Sequence, residues 1–149
     1  MASLPSHVTA PVSALVDTPV GQARLLVHPS TAGVRRATVV LGHGAGRGAD
    51  SPDLQVLAAR LPRDGIDVVL VEQPWVLAGR RVAAPPRHLD QAWAAVVGAL
   101  PGLPGGLGGG PVVWGGRSAG ARVAARSAVS GGPGAGSGPR PDALLLLAF

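Results

Sequence analysis

The chain contains no cysteine and no lysine, and all thirteen of its basic residues are arginine. Without cysteine there can be no disulfide, no thiolate metal site and no thiol nucleophile, an absence compatible with either side of a membrane. Without lysine there is no Walker-type phosphate loop and no Schiff-base chemistry, since both need that amine. The formal charge of +5 thus reflects missing lysine as much as surplus cation. Arginines occur singly or in pairs such as Arg35-Arg36 and Arg80-Arg81 with no aromatics between them, which argues against nucleic acid as a partner. Aromatic residues are scarce, a single Phe and three Trp, so the core must be built from Ala, Val and Leu in closely packed layers. Residues 1 to 20 lack a basic start and an unbroken apolar stretch, and Leu144 to Phe149 is too short to span a bilayer. No membrane partner is expected, and the default location is cytoplasmic.

With 149 residues, 46% of them hydrophobic, the chain is expected to form one globular domain with its own core. Val12 to Val16 and Gln22 to His28 read as strands of an antiparallel hairpin, joined across Thr18-Pro19-Val20-Gly21. Ala37 to Leu41 and Ile66 to Val71 are largely apolar runs, broken only by Thr38 and Asp67, the pattern of strands buried on both faces. Between them Asp50 or Ser51 can cap a helix with Pro52 in its first turn and Leu54, Leu57, Ala58 and Leu61 on one face, ended by Gly65. Leu89, Ala92, Trp93, Val96, Val97 and Leu100 recur at helical spacing over His88 to Leu100. Pro101 to Gly110 and Ser130 to Pro141 read as flexible Gly/Pro-rich surface loops. The strand Pro111 to Trp114, a helix from about Ala119 to Val129, and a buried strand over Asp142 to Phe149 complete the order. Alternation of strand and helix after a hairpin predicts an α/β fold, with helices on both faces of a largely parallel sheet of about six strands.

Gly116-Arg117-Ser118-Ala119-Gly120 sits between a predicted strand and a predicted helix, the context of a nucleophile elbow. A serine at such a turn holds a strained backbone, and glycines two residues to either side let strand and helix close in. Ser118 is therefore the candidate nucleophile, with Gly116 and Gly120 as supports. Leu41-Gly42-His43-Gly44-Ala45-Gly46 follows the first long buried strand, where a glycine-lined turn can offer backbone N–H groups to an oxyanion. The candidate donors are the N–H groups of Ala119 and of Gly44 or Ala45, with His43 bracing the turn. After Ser118 the sequence has no histidine and a single acid, Asp142.

These two motifs, in this order and with the Leu-rich final strand, make the chain resemble an α/β-hydrolase. It is most similar to the small branch that includes a testis-expressed hydrolase-like protein and its bacterial relatives. The resemblance implies a three-layer fold and a Ser-acid-His hydrolase acting on small esters or similar acyl compounds, with no metal and no organic cofactor. It also implies that the acid and the histidine come from segments beyond Phe149, so that residues 1–149 would be the N-terminal part of that domain, with little activity alone and with Ala143 to Phe149 left as an apolar edge strand prone to aggregation.

Other residues have blander roles. His7 and His28 are expected to face solvent, and His88 to open a surface helix. Asp142 precedes its strand and so lies at the end of the sheet away from the elbow. Glu72, at the end of the strand beginning at Ile66, is expected to be a solvated carboxylate rather than a pocket wall. Gly44-x-Gly46-x-x-Ala49, with Glu72 after the next strand, superficially copies a dinucleotide fingerprint, but the helix signal at Asp50-Ser51-Pro52 comes only after the glycines have passed. A second class of function stays open: a non-catalytic interaction module that keeps the fold without the triad.

Overall fold

The computed structural model describes residues 10–103, 106–107, 109–130 and 139–149. Its single sheet contains β1 (Val12–Thr18), β2 (Gly21–His28), β3 (Ala37–Gly42), β4 (Ile66–Glu72), β5 (Val112–Arg117) and β6 (Ala143–Leu147), in the spatial order β1-β2-β4-β3-β5-β6. β1 runs antiparallel to β2 and β2 antiparallel to β4, while the β4-β3-β5-β6 portion is parallel. The predicted hairpin is present: Gly21 takes a φ of 116°, and the Thr18 hydroxyl accepts from the Val20 N–H at 3.2 Å.

Among the described residues four helices cover the sheet: α1 (Pro52–Arg60), α2 (Pro74–Leu77), α3 (Pro86–Ala99) and α4 (Ala119–Ser130). Because strand side chains alternate between faces, β3 and β4 feed two separate apolar layers. Val39, Leu41, Val68 and Leu70 pack with Leu54 and Ala58 of α1 on one face. Val40, Val69 and Val71 pack with Trp93 and Val96 of α3 and Val123 of α4 on the other. Trp93 is fully buried and meets Trp114 edge to face at 5.9 Å, so two of the few aromatics anchor this layer. Arg126 of α4 forks onto Asp90 of α3 at 2.7 and 3.1 Å, tying the two helices at the surface.

Several local expectations need correction. Ser51 occupies the N-cap position of α1 but caps nothing through its side chain; its hydroxyl donates to the Gly48 carbonyl at 3.2 Å. The four-residue α2 was not anticipated. The predicted loop from Pro101 does not begin as one, because Leu100–Gly102 forms a 3-10 turn and Leu103 is buried in the core; residues 104, 105 and 108 lie outside the described residues. His28 is only half-exposed and its Nε2 is enclosed, so burial lowers its pKa. β6 is not a buried strand: it stands at the sheet edge, with Leu144 and Leu146 exposed. His7 and residues 131–138 lie outside the described residues.

Candidate active site

The chain direction reverses its lateral progress at β3, since β4 lies on one side of it and β5 on the other. α1 leaves β3 on one face and α4 leaves β5 on the opposite face, which opens a crevice at the carboxyl ends of the two strands. The turn after β3 carries His43, Gly44 and Ala45, and the turn after β5 carries Ser118. Both sequence motifs therefore meet at one rim.

Ser118 has a φ of 51° between the last residue of β5 and the first of α4. A side-chain-bearing residue in the left-handed region costs of order 1 kcal/mol or more and persists only where its surroundings hold it. Here its N–H donates to the Leu147 carbonyl of β6 at 2.9 Å, and its carbonyl accepts from Arg122 of α4 at 3.1 Å. Small residues permit the fold to close around this bend. A β-carbon at Gly116 would strike the Gly42 carbonyl oxygen, and one at Gly44 would sit 3.6 Å from Ser118 Cβ.

Two cavities meet at Gly44 and Ala45. The larger, about 650 Å³, is lined by Ser118, Gly44, Ala45, Arg47, Asp53 and Arg117 among others. The smaller, on the α3 side, holds Gly44 and Ala45 against Ala119, Gly120, Gln73 and Trp93. The structure thus brings Ser118, Ala119, Gly44 and Ala45 together. Arg117, the variable residue inside the motif, donates to Asp53 of α1 at 2.7 Å and bridges the crevice. Burial tends to raise the Asp53 pKa, but hydrogen bonds from Arg117 and from the Leu54 N–H hold the carboxyl below its ordinary value.

His43 is 3% exposed and both ring nitrogens are engaged. Nδ1 lies 2.8 Å from the Gly44 carbonyl, and Nε2 accepts from the Gln73 backbone N–H at 3.1 Å. Only a neutral ring protonated on Nδ1 satisfies both contacts. Burial lowers its pKa, against opposing contributions from Gly44, Glu72 and Asp50. Trp75 packs edge to face on the ring at 5.5 Å. His43 consequently fastens the turn after β3 to the end of β4, and neither nitrogen is left to take a proton from a serine.

The remaining candidates lie elsewhere. Asp142 exchanges hydrogen bonds with Val112 at the start of β5, at the far end of the sheet. Glu72 is not a solvated carboxylate: it pairs with Arg24 at 3.1 Å, and its side chain is 15% exposed. α1 starts at Pro52, after the whole Gly44 to Ala49 stretch, which removes the phosphate-cradling geometry of a dinucleotide site. Among the described residues no cluster of three or more His, Asp or Glu side chains is placed to hold a metal ion, and no helix is long and apolar enough to cross a membrane. Sequence reasoning missed Gln73, whose N–H reaches His43 across thirty residues. Its position directly after a buried strand was the available signal.

Residues 35–149 match the model of a family described as alpha/beta hydrolase domain. No curated protein sequence matches the chain. Among solved structures, it superposes on a lidless α/β serine hydrolase from Xanthomonas campestris with a TM-score of 0.69 and 18% identity, over 96% of this chain and 72% of that one. An α/β serine hydrolase homologue from Coxiella burnetii gives 0.64 at 17% identity, over 85% of this chain and 62% of that one. Dienelactone hydrolase from Anabaena variabilis gives 0.63 at 18% identity, over 80% and 57%. At these identities the likeness is one of fold, and this chain spans roughly three-fifths to three-quarters of the three proteins.

Proposed function

The chain belongs to the alpha/beta hydrolase family, and from that premise we propose that it carries the nucleophile and oxyanion half of a serine hydrolase site acting on a small ester or similar acyl compound. In this reading Ser118 Oγ attacks the acyl carbonyl. The developing oxyanion is held by the N–H of Ala119, at the start of α4, and by that of Gly44 or Ala45. Each such donor is worth about 2.7–4 kcal/mol to the transition state. The observation that carries the reading is the left-handed backbone of Ser118, fixed between β5 and α4 and facing the glycine turn after β3.

Attack also needs a base to take the serine proton. No histidine follows Ser118 in the sequence, and His43 is committed to Gly44 and Gln73. Serine without its base loses on the order of 10⁶ in turnover, so residues 1–149 alone should hydrolyse esters barely above background. The same observation favours a second reading, a scaffold that retains the fold without catalysis.

Prolonged exposure to a fluorophosphonate probe separates the two. Slow labelling that vanishes in Ser118→Ala supports the nucleophile, whereas a chain as inert as that variant supports the scaffold.

A further inference from the structure

The larger cavity carries more positive charge than the proposed chemistry uses. Ser118 lines it together with Arg47, Arg117 and Asp53, and these three are the charged residues of its lining. Asp50 and Glu72, which stand at the same end of the sheet, have their oxygens beside Gly48 and do not line it.

The one carboxylate in the lining is committed on both oxygens. Asp53 Oδ1 accepts from the Leu54 N–H at 2.9 Å in the first turn of α1, and Oδ2 accepts from Arg117 Nη1 at 2.7 Å. The arginines are not used up in the same way. A guanidinium presents several N–H donors in a flat fork, and among the described residues the Arg117 fork makes this one hydrogen bond. Arg47 is exposed, and its side chain makes no ion pair among the described residues. Two guanidiniums against one carboxylate leave the lining with a net single positive charge.

The place of this surplus decides what it can recognise. Arg117 directly precedes Ser118 in the chain, and Arg47 follows Gly44 and Ala45 in the turn after β3. An acyl carbonyl at Ser118 thus shares one space of about 650 Å³ with both cations. The flat fork of an arginine matches the two oxygens of a carboxylate. We propose that this cavity selects esters that also carry a carboxylate, the half-esters of small dicarboxylic acids, with Arg47 and the unused edge of Arg117 holding the anionic end. The inference rests on the reading of Ser118 as the nucleophile, because that reading puts the ester carbonyl in this cavity.

The test is a binding measurement that needs no turnover. Monomethyl succinate and its neutral isostere methyl levulinate, in which a methyl ketone replaces the carboxylate, are titrated separately into the whole chain. The salt is about 0.15 M, where exposed charges more than about 8 Å apart are largely screened. Binding is read from the backbone amide signals of Arg47, Ser118 and Ala119. The anion should bind at least about threefold more tightly than the isostere, the advantage expected of exposed charge pairs. Arg47→Gln should remove most of that preference. Asp53→Asn, which keeps a side-chain oxygen for the Leu54 N–H and releases Arg117, should enlarge it. Arg60→Gln takes the same charge from the last turn of α1 and should leave it unchanged. Equal affinity for the two esters overturns the proposal. An equal loss in Arg60→Gln and Arg47→Gln also overturns it, since the preference then follows the charge of the whole chain. If Asp53→Asn does not fold, the contrast between Arg47→Gln and Arg60→Gln decides by itself. The fluorophosphonate result is independent: a preference for the anion in a probe-inert chain removes the nucleophile and keeps the anion site, while probe labelling without that preference does the reverse.

Discussion

Gly120 and Gly42 lie so close that a β-carbon on Gly120 would collide with the carbonyl group of Gly42, with the His43 nitrogen only 2.9 Å away. The start of α4 therefore presses directly on the end of β3, backbone against backbone. The amide assigned to the oxyanion on one side and the glycine turn on the other are set at their spacing by this contact.

Gly120→Ala should accordingly force α4 off β3. Overpacking of this kind costs about 1–3 kcal/mol, to be read from urea denaturation midpoints. Probe labelling of Ser118, where the unaltered chain shows it, should fall in parallel. A variant with unchanged stability would mean that the close approach is not maintained in solution.

His43 sets a pH dependence. Burial holds its folded pKa below 6.5, so the unfolded chain binds more protons in the interval between the two values. Stability is complete above pH 6.5 and declines as the pH drops through the lowered folded value. A charged ring would also turn an N–H toward the Gln73 N–H in place of an acceptor. Denaturation at pH 7.5 and 5.5 should show the loss, and His43→Gln should reduce its slope. His28, shifted in the same direction, should account for part of what remains.

Arg117→Ala should change stability little. The ion pair with Asp53 is short, but the two side chains are 46% and 31% exposed, and exposed pairs contribute about 0.2–1 kcal/mol. Asp53, whose folded pKa is depressed, contributes above its ordinary value of 3.8 and loses that contribution as the pH falls through the folded one. Thermal melts of the variant at pH 7 and pH 3 should therefore differ less than those of the parent chain. A penalty of several kcal/mol at pH 7 would show that the bridge does more than pair two surface charges.

β6 offers a further check. Leu144 and Leu146 are 40% and 37% exposed on an edge strand that carries no charge, the combination that templates pairing between chains. Sedimentation velocity should reveal concentration-dependent association of the parent chain, and Leu146→Lys should weaken it. Identical profiles for the two would locate any association elsewhere.

Much of this architecture was legible because its signals are local. The Ile66 to Val71 run, short and rich in valine, reads as a strand buried on both faces, and the spacing of Leu89, Trp93 and Val96 reads as one face of a helix. The elbow was readable because Ser118 is framed by its glycines within five residues. What escaped depends on contacts between distant segments. Nothing near Gln73 announces that its amide holds His43, and Pro74–Leu77 is too short to show a helical period. The burial of His28 follows from packing against neighbours that its own strand does not specify.

The hydrogen bond from Ser118 to Leu147 has a practical corollary for anyone dividing or grafting this unit. All the conspicuous residues of the motif end at Gly120, yet the bend is clamped by a carbonyl twenty-nine positions from Ser118. A piece cut short of that carbonyl would keep every recognisable letter and lose the hold that aims the hydroxyl, so the smallest transplantable version must extend through residue 147.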